Sequence, residues 1–193
     1  MEDWALRAMA RWPNVPALFG WLSLDRRGRW RIRGELISRP QIIDTIAANY
    51  SRDARGAWYF QNGPQRGYVA LDAAPLILQA PAEGDALGTH LGKPAGAVTQ
   101  VALDEQGALW LNTARGPGLL DERDLDWALQ RLVTETGPVD EMALATVLGL
   151  TSGAATKLSL LLDGQRLAVM RIDEAAIPAA FGFLRSPSAP GSN

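Results

Sequence analysis

Two stretches of the chain share one order of turn residues and apolar segments, and this repetition restricts the fold more than any other feature. Residues 20–32 and residues 101–111 each contain an apolar strand, an Asp-x-x-Gly turn and a second apolar strand with a Trp. An Asp at the start of such a turn accepts hydrogen bonds from its own backbone, and Gly adopts positive φ. Asp25 and Asp104 therefore each predict a β-hairpin.

A helix is predicted after each of these hairpins. Ser38 and Gln41 have the spacing of a capping box, and Pro40 suits a first helical turn. Apolar residues recur at helical spacing in both copies, at Ile42, Ile43, Ile46, Ala47 and Tyr50 in the first and at Leu125, Ala128, Leu129, Leu132 and Val133 in the second.

A second hairpin closes each copy. Asn-Gly at residues 62–63 and Asp-Gly at residues 163–164 are strong hairpin signals, and Gln-Arg follows both. The second copy has additional residues between helix and hairpin, predicted to form a short helix from Asp140 to Leu148 that ends at Gly149. The sequence thus predicts an α+β fold of tandem duplicated ββαββ units, with antiparallel curved sheets each packed with a helix and an extra short helix in the second copy.

The domain boundaries follow from this duplication. Residues 1–80 are predicted to hold an N-terminal helix at 2–12 and the first ββαββ lobe, and residues 99–184 the second lobe with the inserted helix. Residues 81–98 have a glycine at every fourth position from 84 to 96 and are predicted to be a linker, with residues 185–193 as a mobile tail. A single ββαββ unit has little core, so the lobes are expected to bury each other's apolar faces.

Composition excludes several classes of chemistry. The chain has no Cys, which excludes disulfides, thiolate metal sites and a Cys nucleophile, and its one His, His90, excludes any His pair. The formal net charge of −2 does not indicate a basic nucleic-acid-binding protein. With no signal-peptide pattern and no apolar run long enough for a spanning helix, we expect a cytoplasmic protein without a cofactor, metal or membrane partner.

The most pronounced local charge feature is a run of alternating Arg residues. Arg29, Arg31 and Arg33 alternate with Trp30 and Ile32, so a strand would place the three guanidinium groups on one face and the two apolar side chains in the core. The second copy has Leu109, Leu111 and Thr113 around Trp110 instead, so the fold does not require the Arg row. One interpretation is an anion- or partner-binding surface, and the other is a solvated face paired with carboxylates.

The candidate residues for binding a ligand or partner are Arg27, Arg29, Arg31, Arg33 and Arg66, and no catalytic or metal-binding residue is assigned. The acidic residues that begin the second helix are interpreted as capping residues rather than as an acid–base or cation site: Asp121, Glu122, Asp124 and Asp126. No nucleotide-binding glycine motif lies between a strand and a helix.

These observations favour a non-enzymatic regulatory or signalling-associated module that binds a protein partner or a small anionic ligand. The alternative is an enzyme that uses Arg and carboxylates in a crevice between the lobes on a phosphorylated or carboxylated substrate. Nucleic acid is disfavoured as a partner. A homodimer is compatible with the charge distribution, because residues 1–80 carry a net +4 and residues 81–193 a net −6.

The first half of the chain resembles a family of proteobacterial proteins filed as domains of unknown function. The resemblance rests on Leu24-Asp25-x-x-Gly28-x-Trp30, on Ser-Arg-Pro at residues 38–40, on Trp58 and on Leu-Asp-Ala-Ala-Pro at residues 71–75. It covers residues 19–80 well and the second half loosely. The resemblance implies repeated structural motifs in a bacterial protein and a role in signalling, and it supplies no site residues.

Overall fold

The computed structural model describes residue 7 and residues 15–189, so the helix predicted at 2–12 lies outside the described residues except for residue 7. The chain divides into two compact units, with residues 1–75 and 182–193 in unit 1 and residues 76–181 in unit 2. Fourteen strands and four α-helices occur in the described residues, which confirms the α+β prediction. No helix in this part of the chain is long and apolar enough to cross a membrane.

Within residues 15–75 and 182–189, unit 1 contains one six-stranded sheet and one helix. In chain order its elements are β1 (Leu18–Leu24), β2 (Trp30–Ile32), β3 (Glu35–Leu36), α1 (Pro40–Ala48), β4 (Tyr50–Arg52), β5 (Trp58–Asn62) and β6 (Gln65–Leu71). The strand order is β3-β2-β1-β6-β5-β4. The hairpins are antiparallel, whereas β1 and β6 are parallel and join the two hairpins. Leu24, Trp30 and Val69 are buried in this unit.

Unit 2 contains one eight-stranded sheet. Its elements are β7 (Leu76–Gln79), β8 (Gly88–Thr89), β9 (Val98–Leu103), β10 (Leu109–Thr113), β11 (Pro117–Leu120), a 3₁₀ helix (Glu122–Asp124), α2 (Leu125–Leu129), β12 (Leu132–Val133), α3 (Glu141–Leu148), β13 (Ala154–Leu162), β14 (Gln165–Arg171) and α4 (Ile177–Phe181). The strand order is β12-β13-β14-β9-β10-β11-β7-β8. Residues 81–98, predicted to be a linker, lie in this unit and include β8 and the buried Leu87.

Six strands of unit 2 have the same order and directions as the six strands of unit 1. In both units the first and last strands of the set are parallel, with Leu22 opposite Val69 and Val101 opposite Val169. Each unit has the predicted order of hairpin, helix and hairpin, with a further short strand on each side of the helix. Unit 2 differs by adding β7 and β8 at one edge of its sheet.

The same Asp-x-x-Gly turn occurs three times, at Asp25, Asp53 and Asp104. In each turn Oδ1 of the Asp accepts hydrogen bonds from the backbone N–H groups two and four residues later, at 2.9 to 3.0 Å. The Gly of each turn has a φ between +75° and +83°, which an L residue adopts only with strain. The turn at Asp53 joins β4 to β5 and was not predicted from the sequence.

The inserted helix of unit 2 has the predicted bounds. Oδ1 of Asp140 accepts a hydrogen bond from the Ala143 backbone N–H at 2.7 Å, and Gly149 is the C-cap of α3. Asp140 therefore satisfies one of the free N–H groups at the beginning of the helix. The helix lies in the connection of residues 134–153 between β12 and β13, whereas the matching connection in unit 1 is the short turn at Asp53.

Two helix predictions were wrong in detail. The N-cap of α1 is Arg39, and no side chain caps the helix, so Ser38 and Gln41 form no capping box although Pro40 begins the helix. The second helix ends at Leu129 because Leu132 and Val133 pair with β13 as a strand. The apolar pattern after Leu129 thus belongs to a sheet edge, where pairing with a neighbouring strand overrides helical spacing.

His90 makes the stability of unit 2 depend on pH. Burial lowers the pKa of His90 to about 4, and its Nδ1 accepts the Ile77 backbone N–H at 3.1 Å. Between pH 6.5 and 4 the unfolded chain therefore binds a proton that the folded chain does not. We expect the free energy of unfolding to fall by up to about 3 kcal/mol as the pH drops through this window. Urea unfolding at pH 7.5 and pH 5.0 checks this, and His90→Gln should remove most of the difference. An equal pH dependence in both proteins would contradict it.

Candidate functional site

The Arg row does not form one continuous strand. Strand β2 contains only residues 30–32, so Arg29 precedes it and Arg33 follows it in the turn to β3. Arg33 has a φ of +50°, in the left-handed region, which takes its side chain out of the alternation of the strand. Only Arg31 of the three lies within a strand.

Arg29 and Arg31 are both bound to Asp25. Nε of Arg29 donates to Oδ2 of Asp25 at 2.8 Å, and Nε of Arg31 donates to the same oxygen at 3.4 Å. Burial opposes ionisation of Asp25, but the backbone N–H groups of Arg29 and Arg27 and the Arg29 guanidinium outweigh it and lower the pKa of this carboxyl. These two Arg side chains therefore help to hold the first turn.

The strand register of unit 2 shows which residues stand at the positions of Arg29 and Arg31. Leu24 lies opposite Trp30, and Leu103 lies opposite Leu109, so the register places Trp110 at the position of Arg31. Nε1 of Trp110 donates to Oδ2 of Asp104 at 2.8 Å, as Nε of Arg31 donates to Asp25. The Arg row thus corresponds to Ala108, Trp110 and Asn112, and the assignment to Leu109, Leu111 and Thr113 was wrong by one residue.

Arg33 lies instead over an exposed Trp. Its guanidinium is 3.8 Å from the centre of the Trp21 ring, and its backbone N–H donates to the Trp21 carbonyl at 2.8 Å. Trp21 follows Gly20, which has a φ of +72°, at an irregularity in the pairing of β1 with β6. A bulge of this kind redirects a side chain. Trp21 is accordingly 46% exposed although it lies within β1.

An apolar cleft of about 170 Å³ opens beside Trp21 between helix α1 and the sheet of unit 1. Ile32 and Ile42 line it and are 44% and 39% exposed, so the prediction that Ile32 enters the core was wrong. Asn62 and Gln65, at the β5–β6 turn, are its polar lining residues. The full lining is Leu18, Trp21, Leu22, Ile32, Ile42, Ile46, Phe60, Asn62, Gln65 and Gly67.

The two other candidate Arg residues have separate surroundings. Arg27 is exposed in the β1–β2 turn, and its backbone N–H donates to Asp25. Nε of Arg66 donates to Oε1 of Gln61 at 3.2 Å, and its guanidinium lies 4.6 Å from the centre of the Tyr59 ring. The structure thus brings Arg33 alone of the five candidates to the apolar cleft through a ring contact.

The acidic residues that precede α2 have structural contacts. Asp121 caps the 3₁₀ helix by accepting the Arg123 backbone N–H at 3.0 Å, and its Oδ2 pairs with Arg123 at 2.6 Å. Oδ2 of Asp124 accepts the Ala80 backbone N–H at 2.8 Å. Asp121 is thus a cap as interpreted, whereas the Asp124 side chain makes no cap hydrogen bond and holds the backbone of residue 80 instead. Within residues 15–189, no group of three or more His, Asp or Glu side chains could hold a metal ion.

Comparison with known proteins gives a fold and a family. The structure is similar to that of a DUF1285 family protein from Silicibacter pomeroyi DSS-3, with a TM-score of 0.54 and 16% identity over 81% of this chain and 84% of that chain. A DUF1285 family protein from Shewanella baltica OS155 has a TM-score of 0.42 and 18% identity over 54% of this chain and 86% of that chain. At such identities the likeness of the first shows the fold alone. No curated protein matches the chain.

The family is an uncharacterised one, as the resemblance in the first half of the chain implied. The DUF2944 family model, described as "Protein of unknown function (DUF2946)", matches residues 1–188, and the chain therefore belongs to this family.

Proposed function

We propose that the protein is a non-enzymatic binding module that docks an acidic segment of a partner protein in the apolar cleft of unit 1. The observation that carries this proposal is the exposed cleft beside Trp21 with the Arg33 guanidinium over the Trp21 ring. An aromatic ring beside an Arg is the kind of pair that dominates the binding energy of protein interfaces.

The size of the cleft favours a protein segment over a small ligand. Small-molecule sites have volumes of roughly 300–1,000 Å³, whereas this cleft has about 170 Å³. A space of this size takes one large apolar side chain, which would pack on Ile32, Ile42 and Phe60. The rest of such a partner would lie across the surface outside the cleft.

Charge favours an acidic partner. Arg33 forms no ion pair within the described part of the chain, and it is exposed at the side of the cleft. Residues 1–80 carry 11 Arg against seven Asp and Glu. Opposite charge on the partner would speed association and set the register of the segment in the cleft.

The enzyme alternative gains no support from the carboxyl groups. A general acid needs a raised pKa, whereas hydrogen bonds lower the pKa of Asp25 and Asp53 despite the opposing effect of burial.

We also propose that the two units descend from one duplicated gene. The shared strand order supports this, and the presence of Asn112 at the position of Arg33 supports a binding role specific to unit 1.

Selection of peptides on the purified protein tests the docking proposal. From a displayed library of random 12-residue peptides, we expect sequences with Asp or Glu next to a large apolar residue. Arg33→Glu and Ile32→Asp should each weaken the best peptide about tenfold or more, since each change removes one part of the complementarity. Fluorescence anisotropy of the labelled peptide measures the affinity.

Arg52→Glu is the matched control. Arg52 is exposed on β4 at the other edge of the same sheet, so the substitution makes the same change of charge away from the cleft. Affinity should fall less than twofold in this variant. If Arg52→Glu and Arg33→Glu weakened the peptide affinity equally, the interaction would depend only on the net charge of the chain, and the proposal would be overturned. Selected peptides without acidic residues would overturn it as well. If the chain self-associates and Ile32→Asp abolishes this self-association, the cleft binds a second copy of the chain rather than an acidic partner, which also overturns the proposal.

A further inference from the structure

We infer that unit 2 contains a separate ligand site, a cavity between the inserted helix α3 and strand β13 that binds an amphiphile with an apolar body and a single carboxylate. The cavity has about 490 Å³, which lies within the range of roughly 300–1,000 Å³ for small-molecule sites. It is independent of the docking cleft, because all its lining residues belong to unit 2.

The inserted segment creates this cavity. The β12–β13 connection spans residues 134–153, whereas the corresponding connection of unit 1 is the turn at Asp53, so the shared sheet does not require the segment. Residues from the connection and the helix form one wall: Thr134, Glu135, Thr136, Ala143, Thr146, Val147 and Leu150. Strand β13 supplies Ala155, Thr156, Lys157 and Leu158.

The hydroxyl groups that line the cavity are already hydrogen-bonded within the protein, so the cavity favours a ligand with an apolar body. The hydroxyl of Thr146 donates to the Met142 carbonyl at 2.8 Å, and that of Thr156 donates to the Val169 carbonyl at 2.6 Å. The Thr134 hydroxyl donates to the Gly137 carbonyl at 3.1 Å. These three protons are used within the protein, so a polar ligand body would gain few hydrogen bonds, whereas Val147 and Leu158 offer apolar contacts.

Strand β13 is also irregular at this place. Its pairing with β14 shifts register between Ala155 and Ser159. Within this segment the Thr156 hydroxyl donates to the Val169 carbonyl and accepts the Leu158 backbone N–H at 3.0 Å, in place of hydrogen bonds between the two backbones. Such bulges are frequent beside binding sites. Lys157 lies within the irregular segment.

Charge at the cavity selects the head group. Lys157 is exposed and forms no ion pair in residues 15–189, so its ammonium is available to a carboxylate. Glu135 lines the same cavity and disfavours a second negative charge on the ligand. A monocarboxylate such as a medium-chain fatty acid therefore fits better than a phosphate ester.

Calorimetric titration with decanoate, decanol and decyl phosphate tests the inference on the full chain. Decanoate should bind with a Kd below 1 mM and about fivefold more tightly than the other two, a margin at the upper end of what one charge pair at an exposed site contributes. Lys157→Met should remove the preference for decanoate over decanol, while Lys93→Met, a change of the other lysine of unit 2, should leave it. Thr146→Trp should abolish binding of all three by filling the cavity.

Ala155→Leu provides a second way to fill the cavity, at an exposed position, should the Trp variant unfold. Circular dichroism verifies that each variant is folded. Decanoate that binds equally well to folded Ala155→Leu lies elsewhere and overturns the inference, as does a preference that persists in Lys157→Met. Absence of decanoate binding to the wild-type chain also overturns it.

Discussion

Replacing Gly56 with alanine should destabilise unit 1 by about 3 kcal/mol or more, because a methyl group there meets backbone and the position has positive φ. Gly56 has a φ of +83°, and an added Cβ would press on the Gly182 carbonyl and lie 3.1 Å from the Cα of Phe183. The Gly56 carbonyl accepts the Leu184 backbone N–H at 3.1 Å, so the contact cannot open without loss of this bond. Urea unfolding followed by Trp fluorescence measures the effect.

Gly34 supplies the control for this prediction. It also has a positive φ, of +86°, but no atom lies within 4 Å of an added Cβ. Gly34→Ala should cost only the conformational penalty of about 1–2 kcal/mol, and the excess in Gly56→Ala is then steric. Similar costs in both variants would show that residues 182–184 do not pack on the turn at Asp53.

Asp104→Asn should destabilise unit 2 by about 3 kcal/mol, because it places an amide N–H₂ against a buried donor. Oδ1 can still accept the backbone N–H groups of Gln106 and Ala108, but Oδ2, which accepts Nε1 of Trp110 at 2.8 Å, is replaced by a donor. Asp104 and Trp110 are both fully buried, so water cannot relieve the conflict. Chemical denaturation gives the free energy of unfolding.

A double-mutant cycle isolates this bond. In a Trp110→Phe background the donor is absent, so Asp104→Asn should cost about 1–2 kcal/mol less than in the wild type. Asp25→Asn is the parallel change in unit 1, where the donors are the partly exposed Arg29 and Arg31, and its cost should be smaller. Additive effects of the Asp104 and Trp110 changes would show that the side chains do not interact.

Features of the fold with local causes could be predicted from the sequence. Asn62-Gly63 and Asp163-Gly164 stand at the predicted hairpins, and Asp140 and Gly149 bound α3 as expected, because turn and cap residues act on their own backbone. The short strands β3 and β12 could not be predicted, since two-residue strands form only when a neighbour pairs with them. The contact of residues 182–185 with the rest of unit 1 could not be predicted either, because it joins residues that are distant in the sequence. The Arg185 carbonyl, for example, accepts the Leu71 backbone N–H.

The candidate site was predicted only in part. Alternation along the sequence identified the Arg residues, but it placed Ile32 in the core, whereas this residue is exposed at the cleft beside Trp21. The bulge at Gly20 and the left-handed conformation of Arg33 break the alternation. The hydrophobic periodicity of the sequence indicates neither feature. The register, rather than spacing in the sequence, revealed that Arg31 has the structural position of Trp110.

The docking cleft is tested most directly by nuclear magnetic resonance of the ¹⁵N-labelled chain titrated with the best selected acidic peptide. We expect the indole N–H signal of Trp21 and the backbone signals of Ile32, Arg33 and Ile42 to shift together and to saturate at one equivalent of peptide. Shifts confined to unit 2, or spread over exposed Arg residues such as Arg52 without saturation, would contradict it.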